Sequence, residues 1–219
     1  MLRTRIKVCG FTRSEDVENA VNLGIDALGF VFVKSSPRWV KIDQVKSMVF
    51  QMSPFVQSVG LFMDQTEQEI DEVLQDVPLN LLQFHGNETS AFCEQFKMPY
   101  IKAIPMGCHN EGGHDQRGGF DPLAYADQYP EAVGFLLDSH ALGESGGSGD
   151  AFDWEKIPQG FDRPLILAGG LNVQNVSAAV SQVRPYAVDV SSGVEQAKGL
   201  KDLDKMTAFV KGVNDGDKR

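Results

Sequence analysis

The sequence predicts an α/β fold, a closed (β/α)8 or TIM barrel in a single domain, and three observations carry that prediction. Short apolar runs alternate with amphipathic stretches eight times along the chain. Its 219 residues allow about 27 per strand–helix pair, near the lower end for such a barrel. Polar residues with chemical capacity follow nearly every apolar run, as at the C-terminal rim of a barrel. A doubly wound open sheet, the rival fold, gathers its ligands at one reversal of strand order instead.

The first strand is read at 6–10. Thr12 and Ser14 beside Glu15 and Asp16 start a helix whose apolar positions Val17, Ala20, Val21 and Leu23 recur at helical spacing until Gly24 stops it. The unit then repeats as strand 27–33 with helix 41–52, strand 58–63 with helix 67–74, and strand 79–84 with helix 89–96. Strand 100–104 precedes a Gly- and His-rich loop and a helical stretch at 122–128. Strand 134–137 leads into a glycine-rich loop and a helical turn around Trp154. Strand 164–168 with helix 173–183, and strand 187–190 with helix 202–210, complete the count. The domain is expected to span 1–213, with 214–219 as a frayed tail.

Lys and Arg number 20 against 30 Asp and Glu, a net charge of −10, which repels nucleic acid and anionic membrane surfaces. The most apolar runs last only a few residues, too short for a membrane span. The basic start of the chain is followed by an apolar stretch that ends at Gly10, too short for a secretory segment. Cys9, Cys93 and Cys108 cannot all pair within one chain, so reduced thiols in the cytoplasm are expected. The spacing of Cys93, Cys108, His109 and His114 matches no usual zinc signature, and no metal or nucleotide motif is found.

Function in this fold gathers at the strand ends. Cys9 ends the first strand and Asp138 the sixth, a thiol and a carboxyl suited to base and acid roles in a proton-shuffling isomerisation. A buried core cysteine and a loop-capping aspartate are the plainer readings of the same two residues. Arg38, after Pro37, is placed to clamp a carboxylate or else to sit solvated in its loop. The loops after strands six, seven and eight carry Gly147, Gly149, Gly169, Gly170, Ser191, Ser192 and Gly193. Their place suggests phosphate held by backbone N–H groups, although glycine also simply ends strands. His85 is a ligand contact or a hydrogen-bonded structural histidine. Period-two alternation turns Lys7, Gln83, Lys102 and Asp189 into the barrel, and a Lys7–Asp189 ion pair is expected beneath the site.

The strings around these residues resemble one family, phosphoribosylanthranilate isomerase of tryptophan biosynthesis. The resemblance runs through Lys7-Val8-Cys9-Gly10-Phe11-Thr12, residues 27–32, Ser36-Pro37-Arg38, Val59-Gly60-Leu61-Phe62 and Gln83-Phe84-His85-Gly86. It continues through Leu137-Asp138, Gly146-Gly147-Ser148-Gly149 with Phe152-Asp153-Trp154, Ala168-Gly169-Gly170-Leu171, and residues 189–195, covering nearly the whole chain. It implies an Amadori rearrangement of a phosphosugar without metal or organic cofactor, in a monomer or weak homo-oligomer. In the roles it implies, Asp138 is the general acid, Cys9 the general base and Arg38 the holder of the anthranilate carboxylate. The glycines and serines after strands six to eight would hold the phosphate. Departures are local: Ser148 stands where the family often has Thr, Val8 and Phe11 stand where Ile is common, and 106–119 has no counterpart. A related isomerase of the histidine pathway resembles this one but has a carboxylate where this chain has Cys9. A catalytically silent phosphate-binding barrel is the alternative from another class.

Overall fold

In a computed structural model describing residues 3–109, 120–139 and 153–218, the eight apolar runs form eight parallel strands. They are β1 (Arg5–Cys9), β2 (Ala27–Val31), β3 (Gln57–Phe62), β4 (Leu81–Phe84), β5 (Tyr100–Pro105), β6 (Gly134–Asp138), β7 (Leu165–Leu167) and β8 (Ala187–Val190). Each pairs with the next, and β8 closes on β1 with Lys7 opposite Asp189. The helices are α1 (Ser14–Asn22), α2 (Ile42–Val49), α3 (Glu67–Asp76), α4 (Ser90–Glu94), α5 (Pro122–Ala126), α6 (Val176–Val183) and α7 (Leu203–Asp217). After β6 there is a 3-10 turn at Trp154–Lys156 where a helical turn was expected. Among the described residues no helix is long and apolar enough to cross a membrane.

The strand periodicity sorts side chains into two layers. Facing out toward the helices, Phe32, Phe62, Phe84 and Tyr100 form a chain of ring contacts with centroids 5.4–6.3 Å apart, and Phe92 and Phe96 of the α4 region join it. Facing in, Ile101, Ala103, Leu136, Ile166, Ala168 and Ala187 form a smaller apolar cluster inside the barrel. The helices are held by local signals as well. Thr66 caps α3 in a reciprocal capping box with Glu69, and Asp121 caps α5 with Pro122 at its first turn.

Three expectations are corrected. Lys102 does not face into the barrel: Ile101 and Ala103 occupy the inward positions of β5, so Lys102 points outward and donates to Glu88 at 3.0 Å. The tail from Asn214 is not frayed, because α7 continues to Asp217, whose carboxylate accepts from the Thr4 amide at 2.9 Å and its hydroxyl at 2.7 Å. Gly216 lets that last turn lie against α6, where an added Cβ would come within 2.8 Å of the Ser177 carbonyl oxygen. Finally, the segment between β8 and α7 is not a plain connection. It forms an antiparallel hairpin of β9 (Glu195–Ala197) and β10 (Leu200–Lys201), turned at Gly199 with φ +81°.

Candidate active site

The C-terminal mouth of the barrel holds a cavity lined by Cys9, Arg38, His85, Asp138, Asp189 and Ser191 among others. Cys9 and Asp138, the last residues of β1 and β6, both lie on the inward phase of their strands. Gly29 in the neighbouring strand leaves room for the thiol, since a Cβ there would sit 2.6 Å from Sγ. A larger groove at the other end of the molecule is lined, among the described residues, by Arg3, Arg5, Arg163 and Arg184 but by no thiol or histidine.

Beneath the thiol, Lys7 Nζ donates to Asp189 Oδ1 at 2.9 Å, the pair expected from the alternation. Burial works against the Lys7 ammonium, but Asp189 and the Cys9 thiol outweigh it and hold its pKa above that of an ordinary lysine. For Cys9 the balance falls the other way. Burial pushes the thiol up, Asp189 adds to the shift, and Lys7 and Lys201 oppose it without cancelling it.

Across the cavity, the Gln83 amide lies 3.0 Å from His85 Nδ1. An amide N–H donating there leaves the ring proton on Nε2, which faces Asp138 Oδ2 at 3.3 Å. Gln83, His85 and Asp138 thus form a relay of hydrogen-bonding groups from the barrel interior to the mouth, with the Gln83 carbonyl oxygen buried and without a protein partner among the described residues.

Arg38 is not solvated. Its side chain is almost wholly buried, with Nε and Nη2 donating to the two oxygens of Glu195 at 2.8 and 2.9 Å. Its stem lies over Gly10, where φ is +86° and a Cβ would come within 2.4 Å of Arg38 Cδ. Burial raises the proton affinity of the Glu195 carboxylate, but the Arg38 hydrogen bonds and the charge of Lys201 outweigh it and hold the group below its usual range.

Around the last strands, Gly169 and Gly170 take φ values of +74° and +66°. Gly193 packs so closely that a Cβ would lie 2.0 Å from the Leu171 carbonyl oxygen. Ser192 opens a 3-10 turn, and the Ser191 hydroxyl donates to the Cys9 carbonyl at 2.9 Å. These five residues share one side of the rim. Gly147, Gly149 and His114 lie outside the described residues, as do the side chains of Cys108 and His109. Cys93 is buried in α4, where burial raises its thiol to about 12.

Glu195 and Lys201 were not singled out by the sequence reading. Glu195 closes the last string of the resemblance, but nothing local says that its partner is Arg38, 157 residues earlier. Lys201 is an ordinary-looking lysine in a short polar stretch, and only the fold shows that it is fully buried.

Comparison with known proteins agrees with this geometry. Residues 6–212 match the family described as N-(5'-phosphoribosyl)anthranilate (PRA) isomerase. The chain is 50% identical over 213 residues to the N-(5'-phosphoribosyl)anthranilate isomerase of Pseudomonas fluorescens, covering 97% of this chain and 100% of that one. The crystal structure of phosphoribosyl anthranilate isomerase from Thermotoga maritima superposes with a TM-score of 0.83 at 35% identity, covering 96% of this chain and 98% of that one. A phosphoribosyl anthranilate isomerase in complex with reduced 1-(o-carboxyphenylamino)-1-deoxyribulose 5-phosphate gives 0.79 at 35% identity, with the same coverage of 96% and 98%.

Proposed function

The chain belongs to the N-(5'-phosphoribosyl)anthranilate isomerase family, an aldose–ketose isomerase of tryptophan biosynthesis, and we propose how its residues divide the reaction. The substrate is N-(5'-phosphoribosyl)anthranilate and the product 1-(2-carboxyphenylamino)-1-deoxyribulose 5-phosphate. Asp138 gives a proton to the ribose ring oxygen as the bond from that oxygen to C1 breaks and the anthranilate nitrogen lone pair forms a protonated Schiff base. Cys9, as thiolate, then removes the proton from C2, and the electrons move to give an enolamine. Protonation at C1 and loss of the C2 hydroxyl proton complete the aminoketose, with no net change of atoms.

The observation that carries this reading is the placement of a thiol and a carboxyl on the inward phase of β1 and β6, in one cavity with a buried arginine. His85 Nε2 lies 3.3 Å from Asp138 Oδ2 and keeps its carboxyl in the mouth. Arg38 holds the anthranilate carboxylate, and Gly169, Gly170, Ser191, Ser192 and Gly193, with Gly147 and Gly149, hold the phosphate. No metal or organic cofactor enters the scheme. The enzyme works in the cytoplasm as a monomer or weak homo-oligomer.

The test is turnover of phosphoribosylanthranilate generated in situ. Cys9→Ala and Asp138→Asn should each lower kcat by about 100-fold or more, and undiminished turnover removes that residue from its role. Activity should survive chelator treatment. The histidine-pathway aminoaldose, offered as the competing substrate, should turn over far more slowly.

A further inference from the structure

Arg38 enters the mouth already engaged, and the way it is engaged has a chemical consequence. Its Nε and Nη2 edge is occupied by Glu195, while Nη1 has no protein acceptor among the described residues. A bidentate fork fixes the plane of the guanidinium, so the remaining edge is held at one angle on the cavity wall. A lone carboxylate would also cancel the charge that a substrate carboxylate needs. Here it does not, because Lys201 Nζ donates to the same Glu195 Oε1 at 2.8 Å. Counted formally, two cations against one carboxylate give the cluster a charge of about +1 in a chain whose total is −10, although burial, opposed by Glu195, holds the Lys201 pKa below that of an ordinary lysine.

Lys201 works wholly inside this corner of the rim. Its three N–H groups go to Glu195, to the Cys9 carbonyl at 2.6 Å and to the Ser191 carbonyl at 3.2 Å, and the side chain is fully buried. The β9–β10 hairpin places it opposite Glu195, and its backbone amide is tied to Asp16 at 3.1 Å. The cluster therefore joins the ends of β1 and β8 to the loop after β2. A lysine required only for burial would be replaced at lower cost by an apolar side chain of similar size.

We infer that Glu195 is the positioning residue of the carboxylate clamp and that Lys201 keeps the oriented Arg38 from being neutralised. Neither residue touches the reacting atoms; both act through Arg38. The inference rests on Arg38 being the clamp for the substrate carboxylate, and its test separates the two ideas.

KM and kcat for phosphoribosylanthranilate are measured for Arg38→Ala, Glu195→Gln and Lys201→Met, beside calorimetric Kd values for reduced 1-(o-carboxyphenylamino)-1-deoxyribulose 5-phosphate and for inorganic phosphate. Glu195→Gln should raise KM and the Kd of the reduced product analogue about tenfold or more, with kcat within about threefold and phosphate affinity unchanged. Lys201→Met should likewise raise KM and the Kd of the reduced product analogue, with phosphate affinity unchanged. A structural role alone would lower Tm, or lower kcat and phosphate affinity together, without that split. Should Glu195→Gln fail to fold, Glu195→Asp keeps the charge but shortens the reach, and should raise KM at an unchanged circular dichroism spectrum. If Arg38→Ala raises KM while the folded Glu195 variants stay within twofold of wild type, the positioning inference is wrong and the clamp stands. If Arg38→Ala itself leaves KM and kcat unchanged, the clamp assignment fails and the inference falls with it.

Discussion

At the scale of single residues, the mouth is a set of opposed demands met by burial. The Cys9 thiol is held above its ordinary pKa by desolvation, so the thiolate that serves as base is the minor form at neutral pH. Alkylation of Cys9 by iodoacetamide should keep accelerating beyond the ordinary thiol value of about 8.5, where an exposed cysteine levels off. A plateau at or below that value would contradict the shift. The folded thiol also keeps its proton where the unfolded one loses it, so this residue's contribution to stability is fully present below the unfolded value and is lost as pH rises from there through the higher, folded value. Below it, Lys7 and Asp189 are tied at 2.9 Å with both side chains buried. Lys7→Met leaves a carboxylate buried without its partner and should cost about 3–5 kcal/mol in urea unfolding. The double variant Lys7→Met with Asp189→Leu should recover most of that loss, because the pair as a whole offsets little more than its own desolvation.

At the scale of elements, the return of α7 to the first strand is a tether of two hydrogen bonds from Thr4 to Asp217. Asp217→Ala should lower stability by about 1–2 kcal/mol and Tm by roughly 2–8 °C, read by differential scanning calorimetry with kcat unaffected. The strands themselves were legible because their glycines, apolar runs and strand-end residues obey a period of two. That period also placed Cys9 and the Lys7–Asp189 pair on the inward phase, and the end of the sixth strand placed Asp138. It failed at Lys102 because β5 is apolar on both sides of that residue: Tyr100 and Ile104 pack outward while Ile101 and Ala103 pack inward. With no polar face to set the phase, the charge suggested the barrel interior, whereas Glu88 and the Gly86 carbonyl receive the ammonium outside it. The β9–β10 hairpin was illegible for a different reason. Its two strands are three and two residues long and mostly polar, and their purpose depends on Arg38 and Asp16, far away in sequence.

At the scale of the whole molecule, the negative charge and the anionic substrate are reconciled by separation. The cations of the mouth, Lys7, Arg38 and Lys201, are buried and paired within the barrel rim, whereas α1 and α3 carry exposed acidic residues on their outer faces. Titration with acid should therefore neutralise the surface before it disturbs the Arg38–Glu195 pair. The sequence pI of about 4.8 marks where net repulsion between molecules vanishes. Glu195 is held below the ordinary glutamate range, so the stability of its pairing is present above that range and is lost only as pH falls through the lower, folded value. On stepping from pH 7 toward pH 4.5, light scattering should rise near pH 4.8 while far-UV circular dichroism of the dilute protein stays native. Below pH 4.5, the Glu195→Gln variant, with no carboxylate to titrate, should lack the acid transition that the Arg38–Glu195 pair gives the wild-type chain. Unfolding that precedes aggregation in the wild-type chain would mean that the buried carboxylates, not the surface, set its acid limit.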